Sequence, residues 1–131
     1  MHNIKTIFLA DDDVDDRILI KEAIRKVSQE IELIEAENGE ELLILLQGSA
    51  QTGTAFVILD MNMPKMNGLE TFDAMRAIPN LSMIPAVMLS TSTDPSLATL
   101  AYKAGISIFL TKPDSFEAFL DLIQKLTNQF L

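Results

Sequence analysis

Five side chains in this 131-residue sequence have the chemistry to capture and hold a phosphoryl group: Asp11, Asp12, Asp60, Ser90 and Lys112. Each stands where a short apolar run stops. Thr6-Ile7-Phe8-Leu9-Ala10 leads into Asp11-Asp12-Asp13, and Ala55-Phe56-Val57-Ile58-Leu59 leads into Asp60. Ala86-Val87-Met88-Leu89 ends at Ser90, and residues 106–111 end at Lys112-Pro113. A carboxylate is a workable nucleophile toward phosphorus. Phosphoryl transfer asks mainly for position and charge neutralisation, so the acceptor need not be strongly basic. Oxygens from Asp12, Asp60, a loop carbonyl and water make a ligand set suited to Mg2+. The Ser90 hydroxyl can hydrogen-bond a phosphoryl oxygen, and the Lys112 ammonium can offset its charge.

Each residue alone admits a plainer role. Asp11, Asp12 and Asp13 can cap a helix or sit near its positive end, Asp13 above all. Asp60 can open an Asx turn. Ser90 can be an ordinary strand-end hydroxyl, and Lys112 an exposed lysine ahead of a helix. Aspartate is depleted from strands, however, and neighbouring buried carboxylates resist ionisation unless a cation relieves them. An X-Pro bond can be cis in a tight turn, and a cis Lys112–Pro113 bond would aim the lysine back across the strand ends.

The elements that must position these groups are legible from periodicity. Val14 to Val27 has helical spacing, with Ile18, Ala23, Ile24 and Val27 on or near one stripe. Ile31 to Ala36 reads as a second strand, and Asn38-Gly39 as a turn before a short helix over residues 40–47. Residues 48–54 form a small polar loop. The run 55–59 is apolar on both faces, as a buried parallel strand is. Gly68 to Ile78 is helical and closed by Pro79. Asp94-Pro95 caps a helix running to about Ala104, with Gly105 as its stop. Asp114 or Ser115 caps a last helix holding Phe116, Phe119, Leu120, Ile123 and Leu126. Five strands alternate with five helices, which implies a doubly wound parallel sheet in one α/β domain over residues 1–131. In the flavodoxin-like order 2-1-3-4-5, strands one, three, four and five bring the chemical residues to one carboxyl edge, where open α/β sheets bind ligands.

Composition narrows the partners. With 10 basic and 19 acidic residues the formal net charge is −9, which opposes nucleic acid and anionic membranes. The absence of cysteine excludes disulfides and thiolate zinc sites. No secretory pattern opens the chain, and no run approaches the roughly 18 apolar residues of a membrane span. A cytoplasmic domain is expected. Leu122, Phe130 and Leu131 exceed one buried stripe on the last helix; they form either a broad core face with a folded-back tail or a partner surface.

With Asp11-Asp12, Asp60 in Leu59-Asp60-Met61-Asn62-Met63-Pro64, Gly68, Ser90 and Lys112-Pro113, the chain resembles the receiver domain of two-component response regulators, the CheY family. The resemblance covers essentially the whole length. It implies that Asp60 is the phosphoacceptor, charged by the phosphohistidine of a histidine kinase or phosphotransfer protein. It further implies that Asp12 ligates Mg2+ directly, Asp11 through water, and Asn62 through its backbone carbonyl. Ser90 would be the switch hydroxyl, and Lys112 the partner of Asp60 or of a phosphoryl oxygen. Phe109 occupies the aromatic switch position, commonly tyrosine, and lacks that hydroxyl. A stand-alone receiver is expected, with no enzymatic role beyond its own phosphorylation and dephosphorylation. It would act on a downstream protein through the fourth helix, fifth strand and fifth helix, as a monomer or weak dimer. A haloacid-dehalogenase-type phosphatase is the alternative enzyme, but such enzymes usually carry aspartate where Asn62 stands. A flavin or nucleotide carrier would want a glycine- or hydroxyl-rich loop where Asp11-Asp12-Asp13 stands. A receiver that signals without phosphate is the remaining alternative.

Overall fold

In a computed structural model, which describes residues 4–48 and 53–131, strands and helices alternate strictly. They are β1 (Lys5–Ala10), α1 (Val14–Val27), β2 (Ile31–Ala36), α2 (Gly39–Gly48), β3 (Thr54–Asp60), α3 (Gly68–Ala77), β4 (Ala86–Ser90), α4 (Pro95–Ala104), β5 (Ile108–Thr111) and α5 (Phe116–Phe130). Most of the polar loop expected over residues 48–54 lies outside the described residues. The five strands pair in parallel in the order β2-β1-β3-β4-β5, the doubly wound arrangement read from the sequence.

Alternation along each strand divides the core into two layers. Phe8, Val57, Leu59 and Met88 pack with Leu42 and Leu46 of α2, Phe72 and Met75 of α3, and Ala101 of α4. Ile7, Leu9, Phe56, Ile58, Val87 and Leu89 pack with α1 and α5, through Ile20, Ala23, Ile24, Phe119, Ile123 and Leu126. The stripe of α1 differs from the expected one in a single member. Ile20 is buried and Ile18 is half exposed. Positions 20, 23, 24 and 27 follow the i, i+3, i+4, i+7 spacing of one helical face, whereas residue 18 lies roughly half a turn away from residue 20.

Helix boundaries follow their capping chemistry. Asp13 caps α1 by accepting from the N–H groups of Asp15 and Asp16. Asn67 and Glu70 form a reciprocal capping box on α3. Asp94 caps α4 ahead of Pro95, and Gly105 ends that helix at φ +106°, a conformation that favours glycine. Of the two candidates for α5, Ser115 is the cap and accepts from Ala118 N–H. The apolar surplus of α5 belongs to the core: Leu122, Phe130 and Leu131 pack on the α1/α5 layer, and the Phe130 ring lies 5.4 Å from that of Phe56.

Candidate functional site

Strand register brings the acidic residues level. Ala10 pairs with Leu59 across β1 and β3, so Asp11, one residue further, comes abreast of Asp60. The ladder continues past the strand end, where Asp11 N–H donates to the Ala36 carbonyl at 3.1 Å. On the other flank Asp60 pairs with Leu89 and Ser90 with Thr111. Lys112 N–H then donates to the Ser90 carbonyl at 2.8 Å. The period-2 alternation puts Asp11, Asp60 and Lys112 on the α1/α5 side, in line with Leu9, Ile58 and Leu110, and puts Ser90 on the opposite side with Met88 and Phe109.

Asp11 and Asp60 are buried, at 1% and 5% exposure, while Asp12 is exposed. One carboxylate oxygen from each of the three lies within 4.8 Å of the others. The Lys112 ammonium sits among them, 2.9 Å from Asp11 Oδ2 and 3.4 Å from Asp60 Oδ2. Its reach needs no special peptide: every described peptide bond, Lys112–Pro113 included, is trans. The cis arrangement considered from the sequence is therefore corrected. The lysine stem is long enough to cross the strand ends from a trans backbone.

The loop after β3 is held tightly. Asn62 N–H donates to Asp60 Oδ1 at 3.4 Å, which keeps Asn62 beside that carboxylate, and Gly68 N–H donates to the Met61 carbonyl at 3.0 Å. A Cβ on Gly68 would come within 2.6 Å of the Asp60 carbonyl oxygen, so only glycine lets α3 begin this close to the end of β3. Lys65 has φ +65°, alone among the described non-glycine residues, and the Met66 N–H closes on the Pro64 carbonyl at 2.6 Å. Ser90 is fully buried, and its hydroxyl oxygen accepts from Ser92 N–H at 3.1 Å. Phe109 is partly buried against the α2/α3/α4 layer. Its own side chain has no hydroxyl, but the Tyr102 hydroxyl of α4 accepts from the Phe109 N–H at 3.0 Å.

Electrostatics mark this edge as charge-burdened. Burial pushes the Asp60 carboxyl up to about 7, with the Asp11 charge adding to the shift and Lys112 opposing it. Burial also raises Asp11, against the Asp13 N–H and Lys112. Burial alone would depress Lys112; the carboxylates of Asp16 and Asp11 outweigh it and hold the ammonium above the ordinary lysine range. Clustered hard oxygens carrying more negative charge than one lysine offsets are the donor set of a hard divalent cation. The residues present fit Mg2+.

Two contributors escaped the sequence reading. Asp16 Oδ2 lies 2.7 Å from the Lys112 ammonium, the shortest of that lysine's three ion pairs. Its position one helical turn after Asp12 was the available clue. Arg17 donates to the Asp11 carbonyl at 2.7 Å and pairs with Glu35 at 3.5 Å, tying the β1–α1 loop to β2. Nothing local in the sequence distinguishes it from a surface arginine.

The geometry has close parallels among known proteins. The chain is 33% identical to the chemotaxis protein CheY1 of Helicobacter pylori over 107 residues, 82% of this chain and 84% of that one. It is 26% identical to the response regulator Rcp1 of Synechocystis over 131 residues, covering 97% of this chain and 89% of that one. The crystal structure of the Mn(2+)-bound form of Rcp1 superposes with a TM-score of 0.80 at 26% identity, covering 95% and 92% of the two chains. That of the phosphorylated cyanobacterial phytochrome response regulator RcpA gives 0.86 at 25% identity, covering 98% and 94%. The sequence profile of the response regulator receiver domain matches residues 7–124, from the middle of β1 into α5, and thus takes in all five strand ends that frame the acidic pocket. The chain belongs to the response regulator receiver domain family.

Proposed function

We infer that this chain is a phosphorylatable signalling receiver whose Asp60 accepts a phosphoryl group, in the presence of Mg2+, from the phosphohistidine of a histidine kinase or phosphotransfer protein. The observation that carries this reading is the Asp60 carboxylate itself. It is buried at the mouth of the central strand, with Asp11 and Asp12 oxygens within 4.8 Å and Lys112 at 3.4 Å. In the transfer, an Asp60 oxygen attacks phosphorus. A P–O bond forms as the P–N bond to imidazole breaks, and the departing imidazole keeps the electron pair and takes a proton from water.

Asp11, Asp12, Asp60 and the Asn62 carbonyl would hold the Mg2+, which supplies positive charge against the carboxylates and the phosphoryl oxygens. The similar Rcp1 has a Mn(2+)-bound form, which supports divalent-ion binding by this chain. Lys112 offsets further charge. Ser90 gives up the Ser92 N–H and donates its hydroxyl to a phosphoryl oxygen, and the α4/β5/α5 surface around Phe109 then changes shape. That surface acts on a downstream protein and is the contact of any weak dimer. No described helix is long and apolar enough to cross a membrane. The domain is a phosphoacceptor rather than an enzyme, its chemistry confined to its own phosphorylation and autodephosphorylation.

The likeness to RcpA over nearly the full chain favours a phytochrome-type histidine kinase as the donor over a chemotaxis kinase. Incubation with acetyl phosphate and Mg2+, followed by intact-mass measurement, tests the acceptor. A gain of one phosphoryl group that vanishes in Asp60→Asn is expected; equal labelling of that variant would refute the assignment. Faster transfer from a phytochrome kinase than from a chemotaxis kinase checks the donor class.

A further inference from the structure

We propose that Asp16 is a positioning residue that holds the Lys112 ammonium on the α1 side of the pocket, and so opposes its engagement of a phosphoryl group on Asp60. The inference rests on the receiver reading above and concerns the regulation of the same site. An ammonium has three N–H donors, and three carboxylates surround this one. Asp16 and Asp11, both presented by the β1–α1 segment, stand at 2.7 and 2.9 Å, while the acceptor Asp60 stands at 3.4 Å. Charged hydrogen bonds of about 2.7–2.9 Å are the strong ones. The lysine side chain is 7% exposed. Its resting place is therefore set by the β1–α1 segment, with Asp60 as its most distant partner.

A phosphoryl group on Asp60 brings more negative charge and more acceptor oxygens. To close its 3.4 Å separation on the Asp60 side to a full-strength bond, the ammonium must move away from Asp16 and Asp11 and loosen one of those contacts. Asp11 is 1% exposed and is held further by the Asp13 N–H at 2.9 Å. The Asp16 side chain is 21% exposed, so water can replace the lysine there at lower cost. Asp16 is the contact that yields. It stabilises the resting arrangement more than the phosphorylated one, and it links the first turn of α1 to the β5–α5 loop.

The test is a titration of the full chain with beryllofluoride, a phosphoryl analogue, at saturating Mg2+. The midpoint and the 15N shift of Lys112 Nζ are both read. Asp16→Asn is expected to lower the midpoint by about fivefold, the size of a partly exposed ion pair. In the beryllofluoride-free variant the Nζ resonance should move toward its position in the bound wild type, and Asp16→Glu should restore wild-type behaviour. Asp15→Asn is the control. Asp15 is the exposed acid in the same first turn, with the same charge and the same place in the helix dipole; its loss should move neither reading. An unchanged or raised midpoint in Asp16→Asn, or equal shifts in both variants, overturns the proposal. If wild-type binding needs Asp60 but ignores Asp16, only this inference fails. If Asp60→Asn binds as well as wild type, the receiver reading falls and takes this inference with it.

Discussion

The two ends of the sheet are built from the same strands and bury opposite kinds of side chain. At the amino-terminal end, Phe56 near the start of β3 meets Phe130 with ring centroids 5.4 Å apart. The adjacent depression of about 340 Å³, edged by Thr54, Ile84, Pro85 and Phe130, has no charged residue in its lining. At the carboxyl end the same strand finishes at Asp60, which shares a water-poor pocket with Asp11 and Lys112. Aromatic closure removes apolar surface from water and stabilises the fold. Burying carboxylates costs free energy that a single lysine offsets only in part. One end of the sheet is thus tuned for stability, while the other keeps an arrangement that folding alone would not select.

The sharpest way to break this contrast is Asp60→Asn. Phosphoryl labelling should disappear altogether, while the melting temperature of the metal-free protein stays level or rises, as circular dichroism will show. A large loss of stability would mean that the carboxylate serves the fold. At the other end, Phe56→Ala should cost about 3–5 kcal/mol in urea unfolding, the usual penalty for emptying a fully buried aromatic site. Labelling per folded molecule should survive; a selective loss of labelling would erase the distinction between the ends.

A pH series separates the ends more gently. The folded-state pKa of Asp60, about 7, lies above its ordinary value of 3.8, so the folded protein holds its proton where the unfolded chain releases it. That contribution to stability is complete below about pH 4 and is lost as pH rises through about 7. In chelator, the melting temperature should therefore fall between pH 5 and 8. Millimolar Mg2+, binding the ionised folded site, should reduce that fall, and Asp60→Asn should flatten it. A profile identical with and without Mg2+ would contradict the assignment of the ligands. The smallest effect is expected for Asp13→Ala, which removes the α1 cap at a cost of about 1 kcal/mol. The Asp13 N–H to Asp11 is a backbone bond and remains, so metal affinity should hardly change in a calorimetric titration.

Much of this molecule is local chemistry and was legible in order. The strand runs, the caps at Asp13 and Asp94, the Gly105 stop and the polar residue closing each apolar run follow from short-range periodicity and turn preference, while the α5 cap was narrowed only to Asp114 or Ser115. The alternation of strands and helices implied a parallel sheet, whose strands all finish at one edge, and the flavodoxin-like order 2-1-3-4-5 is one of the few arrangements that right-handed crossovers admit. Those two facts alone brought Asp11, Asp60, Ser90 and Lys112 to one edge. Which face of α1 turns inward was decided only by docking, which chose Ile20 over Ile18. The same docking delivered Asp16 to Lys112, and the length of the lysine side chain made a cis peptide unnecessary. The Tyr102 hydroxyl on Phe109 N–H likewise depends on how α4 lies along the edge strand. Sequence period specifies which residues share an element and a strand end. The rotation and approach of one element on another come from packing summed over the whole core, and that sum decided which charge each charge meets.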